Sequence, residues 1–358
     1  MRRALALAET VLGTTSPNPA VGCVIVRDGD VVGEGATQPP GGPHAEVVAL
    51  RAAGDRARGA QVYVTLEPCA HHGRTPPCAE ALIEAGVAAV HASFTDPDPA
   101  VSGAGFDRLR DAGIAVHVGD GEAESRRLLE GFIKHRETGL PFVVIKFAAT
   151  LDGKIAAASG DSRWVAGEQA RAWAHAVRTR IDAIMCGVNN VLLDDPELTA
   201  RPGGQFADRQ PLRIVADSRG RTPLEARVLG AGARTIVATT PHSPQAWRDA
   251  LVARGVEPLV LPSDESGRVD LRALLETLGE RGVLTLLVEG GGVLHASFFH
   301  AGLADKVHAI IAPKIVGGTA YPAVAGEGAA RMSEALLLHE VGVDRLGDDV
   351  LITGYVRH

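Results

Sequence analysis

His44, Glu46, Cys69 and Cys78 are the residues of this chain whose types and spacing speak first of chemistry. They lie in Pro43-His44-Ala45-Glu46 and in the run Glu67-Pro68-Cys69-Ala70-His71-His72-Gly73-Arg74-Thr75-Pro76-Pro77-Cys78. One imidazole and two thiolates fill three corners of a tetrahedral zinc site and leave the fourth to water, the arrangement of a hydrolytic zinc. Zinc lowers the pKa of its water to about 7, and a carboxylate that is not itself a ligand can then carry protons. Glu46 is the candidate for that shuttle. In a helix starting near Pro43, His44 and Glu46 lie about 200° apart at roughly 100° per residue, so both reach one site only if the helix terminus abuts the metal. The pattern shares H-x-E with zinc deaminases, whose cysteines are two residues apart; here eight residues separate them. That spacing must hold a loop, His71 to Pro77, placed to contact a substrate. His71 and His72 are expected in the loop or around the site rather than as ligands. Cys23 and Cys186 sit in apolar, strand-like runs and are expected to be core thiols.

A second constellation is Glu289-Gly290-Gly291-Gly292-Val293-Leu294-His295-Ala296-Ser297, directly after the apolar run Leu284 to Val288. Glycines let a backbone approach a phosphate, and a helix N-terminus offers unpaired N–H donors with a favourable dipole. The run is not G-x-G-x-x-G and no acidic residue about twenty positions on supports a Rossmann site. Taken alone it fits a plain strand-to-helix turn equally well.

The elements that must position these residues follow from length and pattern. At 358 residues two domains are expected, and 46% hydrophobic with 22% charged residues suits two globular cores. A net charge of −7 without a continuous basic footprint argues against a nucleic-acid partner. Four cysteines, two of them assigned to metal, make no disulfide framework, which points to a reducing, cytoplasmic compartment. Met1 to Glu9 reads as an amphipathic helix rather than a leader, and no run approaches the roughly 20 apolar residues of a membrane span.

Asp28-Gly29 marks a hairpin turn between two short strands. A helix over Ala45 to Ala53 and a strand over Gln61 to Leu66 come next, putting Cys69 past a strand's C-terminal end. Helix Ala79 to Ala85, strand Ala88 to Ser93, helix Ala104 to Ala112, strand Ile114 to Val118 and helix Glu122 to Glu137 continue the alternation of an α/β layered domain. Asp96-Pro97-Asp98-Pro99 reads as turn chemistry. Gly139-Leu140-Pro141 reads as stop and linker, giving domains 1–140 and 141–358. The second half is expected to carry strands at Phe142 to Ala149, Asp182 to Cys186, Leu212 to Ala216, Thr235 to Thr239 and Leu284 to Val288, the last buried and central. Helices are expected over Glu168 to Thr179 and His295 to Ala301.

Asn18-Pro19-Ala20-Val21-Gly22, Pro43-His44-Ala45-Glu46, Val64 through Cys78 and Ala149-Thr150-Leu151-Asp152-Gly153-Lys154 together resemble the bifunctional deaminase/reductase family of bacterial riboflavin biosynthesis, over essentially the whole chain. The resemblance implies a cytidine-deaminase-like three-layer domain followed by a dihydrofolate-reductase-like α/β domain. It implies Zn2+ on His44, Cys69 and Cys78, and hydrolysis of the 2-amino group of a diamino-ribosylamino-pyrimidinone phosphate, with Asn18 helping to recognise the base. The second domain would reduce the product's ribosyl group to ribityl with NADPH. By the same resemblance Ala148, Trp164, Asn190, Asp194, Ser218 and the run Gly291, Gly292, Val293, Leu294, His295, Ala296, Ser297 lie near the cofactor. Ser162, Arg178, Leu198, Arg201 and Glu289 lie near the substrate. Trp164 could instead be a core aromatic.

Hydride transfer to C1′ of an opened ribosylamine needs a proton donor and a grip on the sugar phosphate. Arg178 and Arg201 are suited to that grip, and Lys146 and Asp194 are the candidates for polarising the imine and relaying protons. One departure is visible at Ala36-Thr37-Gln38, where the family often carries a histidine; Thr37 is expected to replace one substrate contact. Domains of both types often associate, so a homo-oligomer is expected. Two other readings stay open: a deaminase for another nucleoside or a nucleic acid fused to a reductase-like domain, which 4% aromatic residues and the acidic charge disfavour, and a zinc-stapled scaffold with a closed fourth ligand.

Overall fold

The structure, a computed structural model, describes residues 1–70, 77–98, 101–319 and 321–357. The chain divides into two compact units, Met1–Leu140 and Pro141–His358.

The first unit is built on strands β1 (Gly22–Arg27), β2 (Asp30–Ala36), β3 (Gln61–Val64), β4 (Ala89–Ala92) and β5 (Ala115–Val118), in the order β2-β1-β3-β4-β5. The β1–β2 hairpin turns at Asp28-Gly29, both with positive φ, as the Asp-Gly pair foretells. β1 is antiparallel to β2 and β3, and β3, β4 and β5 run parallel. A side chain on Gly22 would collide with the Ala4 carbonyl of helix Arg2–Thr10, while one on Gly35 would collide with the Ala45 carbonyl of helix Ala45–Ala53. Gly35 pairs with Cys23, the neighbour of Gly22, and neighbouring strand residues point to opposite faces. The two helices therefore cover opposite faces of one sheet, which is a three-layer arrangement. Cys23 is fully buried on the face of the second helix, as expected of a core thiol.

The remaining helices of this unit are Cys78–Ala85, Ala104–Asp111, Glu122–Leu128 and Glu130–Thr138. The single helix read over Glu122 to Glu137 is thus two. Its ladder kinks at Leu129, whose φ of −102° and ψ of 14° depart from helical values two residues before Gly131, a weak helix former.

The second unit carries β6 (Phe142–Thr150), β7 (Ala183–Gly187), β8 (Leu212–Ala216), β9 (Thr235–Thr239), β10 (Glu257–Val260), β11 (Thr285–Val288), β12 (Lys306–Ala312), β13 (Leu338–Leu346) and β14 (Asp349–Val356). Their order is β10-β9-β8-β7-β11-β6-β12-β14-β13. Pairing is parallel from β10 to β12 and antiparallel through β14 and β13. β11 sits between β7 and β6, and its Leu286, Leu287 and Val288 are at most 1% exposed, matching the expectation of a buried central strand. Cys186 on β7 is likewise fully buried, in a core with Ile184, Val215, Val237 and Leu287. Helices Glu168–Thr179, Val188–Asp194, Gln245–Ala253, Leu271–Glu280 and Gly292–His300 complete the unit. The antiparallel end leaves no mark in the reading by alternation, because β13 is mostly exposed. It nonetheless serves the core: Asp349, at the start of β14, accepts the Gly167 N–H at 2.7 Å and caps helix Glu168–Thr179.

β12 brings His308 beside β6, where its Nδ1 meets the Thr353 hydroxyl at 3.0 Å and its ring packs edge-on against Trp173. Burial first, then the positive Lys306 and Lys146, push its pKa down to about 4. The unfolded histidine titrates near 6.5, so between those values the unfolded chain binds the extra proton. Stability from this site is complete above about pH 6.5 and falls as the pH drops toward 4, by roughly 3 kcal/mol. Urea unfolding of the second unit at pH 7 and pH 4.5 should show this loss, and His308→Gln should flatten it; an equal acid sensitivity in the variant would contradict the account.

Candidate active sites

The first site assembles at two helix starts. His44 is the residue immediately before helix Ala45–Ala53, and Cys78 opens helix Cys78–Ala85 behind Pro77. Cys69 lies beyond the end of β3. The His44 Nδ1 is 3.3 Å from Cys78 Sγ and 3.7 Å from Cys69 Sγ, and all three donor atoms fall within 4.8 Å of one another. Tetrahedral zinc with Zn–N near 2.0 Å and Zn–S near 2.3 Å would set such atoms about 3.5 Å apart, so the donor set fits the ion. Among the described residues no fourth histidine, cysteine or carboxylate joins the group. The backbone N–H of Cys78 donates to Cys69 Sγ at 3.4 Å, and hydrogen bonds from Cys78 and then His44 hold the Cys69 thiol well below its ordinary pKa. His71, His72 and the rest of the segment to residue 76 lie outside the described residues.

Glu46 stands in the first turn of the same helix as His44 and is 4% exposed. Burial, and next the negative Cys69, push its pKa up to about 7. A carboxyl placed beside the donor set is positioned to exchange protons with a water held there. Asn18 is half-buried in the loop before β1, where Thr15 and Asn18 bond one another's backbone. The Thr37 hydroxyl accepts the Val21 N–H at 3.1 Å and the residue is 3% exposed, so it fastens two strand ends.

Sequence reading missed Glu67, the acid of Glu-Pro-Cys. Its carboxylate accepts the backbone N–H groups of Asp96 and Gly103 at 3.0 Å and of Gly105 at 2.9 Å, binding Asp96 and the start of helix Ala104–Asp111 to the residue before Pro68-Cys69. An acid two residues before a metal-type cysteine, yet itself outside the ligand spacing, is the signal that could have marked it. Glu67→Ala would orphan three N–H groups, two of them buried, and should cost the first unit about 3 kcal/mol. A urea titration following the two units separately would register this, and an unchanged first transition would contradict it.

The second site has two parts. At the C-terminal edge of β7, β8 and β11 lies a cavity of about 920 Å³ lined by Ser162, Asn190, Asp194, Ser218, Gly291, Gly292, Val293, Leu294 and Ser297 among others. Asp194 accepts the Ser162 hydroxyl at 2.6 Å, and Asn190 Oδ1 accepts the Gly291 N–H at 2.7 Å, which ties the glycine loop to helix Val188–Asp194. Helix Gly292–His300 starts three residues earlier than expected, and its first residues, Gly292 to Leu294, line the cavity. Gly292 permits this, since a side chain there would strike the Pro322 carbonyl.

Beside it is a charge cluster. Glu289, at the end of β11, receives Arg178 Nε at 2.7 Å and Nη2 at 2.8 Å and Lys146 Nζ at 3.2 Å. Burial opposes the carboxylate, but Arg178 and Lys146 overrule it and hold Glu289 well below the usual carboxylate range.

Several residues expected near a ligand have protein partners in this structure. The Arg178 fork, expected on a phosphate, is occupied by Glu289, with Nη1 donating to the Thr199 carbonyl at 2.9 Å; a guanidinium only 14% exposed requires a permanent counter-charge. Arg201 pairs with Glu197 through its own guanidinium. His295 is fully buried, its Nε2 accepting the Gly290 N–H at 3.1 Å while Nδ1 meets the Ala323 carbonyl at 2.8 Å, so it pins the glycine loop. Ala148 packs against the Ile310 and Leu351 core, and Ala296 and Trp164 lie outside the cavity lining. Trp164 is not a core aromatic: it is 65% exposed, with the Arg171 guanidinium 4.5 Å from its ring. Leu198 is core, 4% exposed, and holds φ of 52°. Lys146 and Asp194 thus occupy different parts of the site.

A His/Cys/Cys donor set with a buried glutamate on one unit, and a glycine-loop cavity with a buried ionic cluster on the other, define a zinc-type deaminase joined to a reductase domain. Residues 1–93 match the cytidine and deoxycytidylate deaminase zinc-binding region, and residues 141–352 match the RibD C-terminal domain. The chain is 44% identical to riboflavin biosynthesis protein RibD of Synechocystis over 99% of its own length and 95% of that protein's. It is 42% identical to RibD of Escherichia coli, over 98% and 97%. Among solved structures, RibD of Acinetobacter baumannii superposes with a TM-score of 0.88 at 37% identity, covering 100% of this chain and 98% of that one. A Thermotoga maritima structure described as a diaminohydroxyphosphoribosylaminopyrimidine deaminase/5-amino-6-(5-phosphoribosylamino)uracil reductase gives 0.87 at 36%, covering 100% and 97%. The chain belongs to the RibD family of bifunctional deaminase/reductase enzymes of riboflavin biosynthesis.

Proposed function

We propose that the first unit hydrolyses the 2-amino group of 2,5-diamino-6-(5-phosphoribosylamino)pyrimidin-4-one and that the second reduces the ribosyl chain of the product with NADPH. The observation that carries the reading is the placement of buried Glu46 against three preassembled zinc donors. His44, Cys69 and Cys78 would hold Zn2+, which when bound supplies an acidified water and Lewis-acid polarisation. Glu46 passes one proton of the attacking water to the ring nitrogen and then carries the second, from the new hydroxyl, to the departing amine. A C–O bond forms, the C–N bond breaks, and ammonia leaves. Asn18 helps to orient the base.

In the second unit bound NADPH would supply the hydride for C1′ of the opened sugar, and Lys146 or the Ser162–Asp194 pair gives the proton to the imine nitrogen. The cavity's helix N-terminus supports a pyrophosphate. Glu289, with Arg178, sets the charge around Lys146.

The test follows ammonia and NADPH absorbance together on the zinc-loaded chain given the diamino substrate. Ammonia followed by stoichiometric NADPH loss is expected. Ammonia alone would remove the second half of the reading, and no ammonia with zinc bound would remove the first. No described helix is long and apolar enough to cross a membrane, and a cytoplasmic location as a homo-oligomer goes with this reading.

A further inference from the structure

We infer that Lys314 is a positioning residue of the reduction, holding the turn from Ser162 to Val165 so that the Ser162 hydroxyl stays on Asp194. The inference rests on the reading of the second unit's cavity as the reductase site.

Ser162 and Asp194 both line that cavity, but Ser162 stands in the connection between β6 and helix Glu168–Thr179, outside any helix or strand. A connection of this kind does not fix a side chain by itself. Its own bonds are short-range: the Val165 N–H donates to the Ser162 carbonyl at 3.2 Å, and the Arg163 N–H to Asp161 Oδ1 at 3.0 Å. The Lys314 ammonium, 149 residues beyond Val165, donates to the Val165 carbonyl at 3.0 Å and to the Trp164 carbonyl at 2.6 Å. One side chain therefore takes both carbonyls at the far end of the turn, while Asp194 takes the Ser162 hydroxyl at the near end, at 2.6 Å. A compact ammonium with three donors can serve two carbonyls at once.

An anchor must itself be held. The Lys314 carbonyl accepts the Leu151 N–H and its N–H donates to the Ala312 carbonyl, both at 2.8 Å, which fixes the residue just past β12 and beside the end of β6. Farther along, the Val316 N–H donates to Asp152 Oδ1 at 3.1 Å and the Gly317 N–H to Asp152 Oδ2 at 2.7 Å, and the Thr150 hydroxyl donates to Asp152 Oδ1 at 2.6 Å. The Thr150-Leu151-Asp152-Gly153 turn, to which the reaction as described gives no task, is thus the foundation of the clasp. After Val165 the chain is tied separately: Arg171 Nη1 donates to the Ala166 carbonyl at 2.8 Å, and Asp349 accepts the Gly167 N–H at 2.7 Å. Lys314 closes the gap between those ties and Ser162.

The clasp can be opened without unfolding the unit. Lys314 and Trp164 are exposed and Val165 is half-buried, so water can replace the lost donors. What goes is the placement of Ser162, and a displacement of about 1 Å at a reacting group can cost 10²-fold in rate.

NADPH oxidation by the full chain, supplied with the deaminated intermediate, tests this in Lys314→Met, Ser162→Ala and the double variant. Lys314→Met should lose about 10- to 100-fold in kcat/KM while its deamination and the urea midpoint of its second unit stay at wild-type values. Lys314→Arg, which can still donate to both carbonyls, should recover most of the loss. Because Lys314 acts through Ser162, the double variant should be no slower than Ser162→Ala; a lysine of merely structural importance would add its own loss. Additive losses, a Lys314→Met enzyme as fast as wild type, or a loss of activity that tracks a lowered urea midpoint would overturn the role of Lys314 alone. A wild-type chain that leaves NADPH untouched would overturn the reductase reading and this inference together.

Discussion

Glu46→Gln should retain zinc yet lose deamination by at least 10²- to 10⁴-fold, the usual contribution of a positioned general acid–base group. The amide keeps the shape of the side chain in its buried pocket but cannot take a proton from water. The expected pattern is a full metal content, no ammonia from the diamino substrate, and undiminished NADPH oxidation when the deaminated intermediate is supplied directly. Loss of zinc instead would mean that Glu46 holds the site together, and retained ammonia release would remove it from the proton path. The two units divide at residue 140, so the reductase readout is an internal check on folding.

The second large effect is expected at Glu289. Its carboxylate receives both Arg178 and Lys146, and Glu289→Gln would leave two buried cations side by side without a counter-charge. Breaking a buried pair from one side costs about 3–5 kcal/mol. The second unit should lose about that much stability and its reductase activity, while deamination continues. Glu289→Asp, which keeps the charge on a shorter arm, should recover most of the stability.

The sign of the pH dependence follows from the depressed carboxyl. The unfolded glutamate takes up its proton near pH 4.3 while the folded one resists, so this contribution is complete above that pH and is lost only as the pH falls toward the lower folded value. The variant should therefore lack this part of the wild type's acid sensitivity. Separate urea transitions for the two units, measured from pH 3 to pH 7, would decide it; a variant as stable as wild type at neutral pH would mean that solvent, not Glu289, balances the cations.

What could be read from the residues was what depends on local spacing. His44, Cys69 and Cys78 are each tied to a strand end or a helix start, and those boundaries are written in Pro43, Pro68 and Pro77, so the donor set was legible before any coordinates. The buried β11 was legible because a strand covered on both faces is apolar throughout. The fate of Arg178 was not, because a bidentate fork suits a phosphate and a carboxylate equally and only the tertiary fold shows that Glu289, 111 residues away, fills it. The burial of His295 was hidden for a related reason: only the fold shows that helical rotation turns it inward, behind the glycine loop. The three backbone partners of Glu67 depend on which loops meet, which one sequence does not display.

The insertion of β11 between β6 and β7 has a consequence for how the chain comes off the ribosome. The first unit is complete once residue 140 has emerged, but the Lys146–Glu289 contact spans 143 residues, so the central strand of the second sheet arrives long after its two neighbours. At translation speeds of about 5–20 residues per second, β6 and β7 wait roughly 5–20 s with their inner edges open. Exposed edges of this kind invite pairing with other chains. All residues of the deaminase half have emerged before that interval begins, so the open edges belong to the second sheet alone.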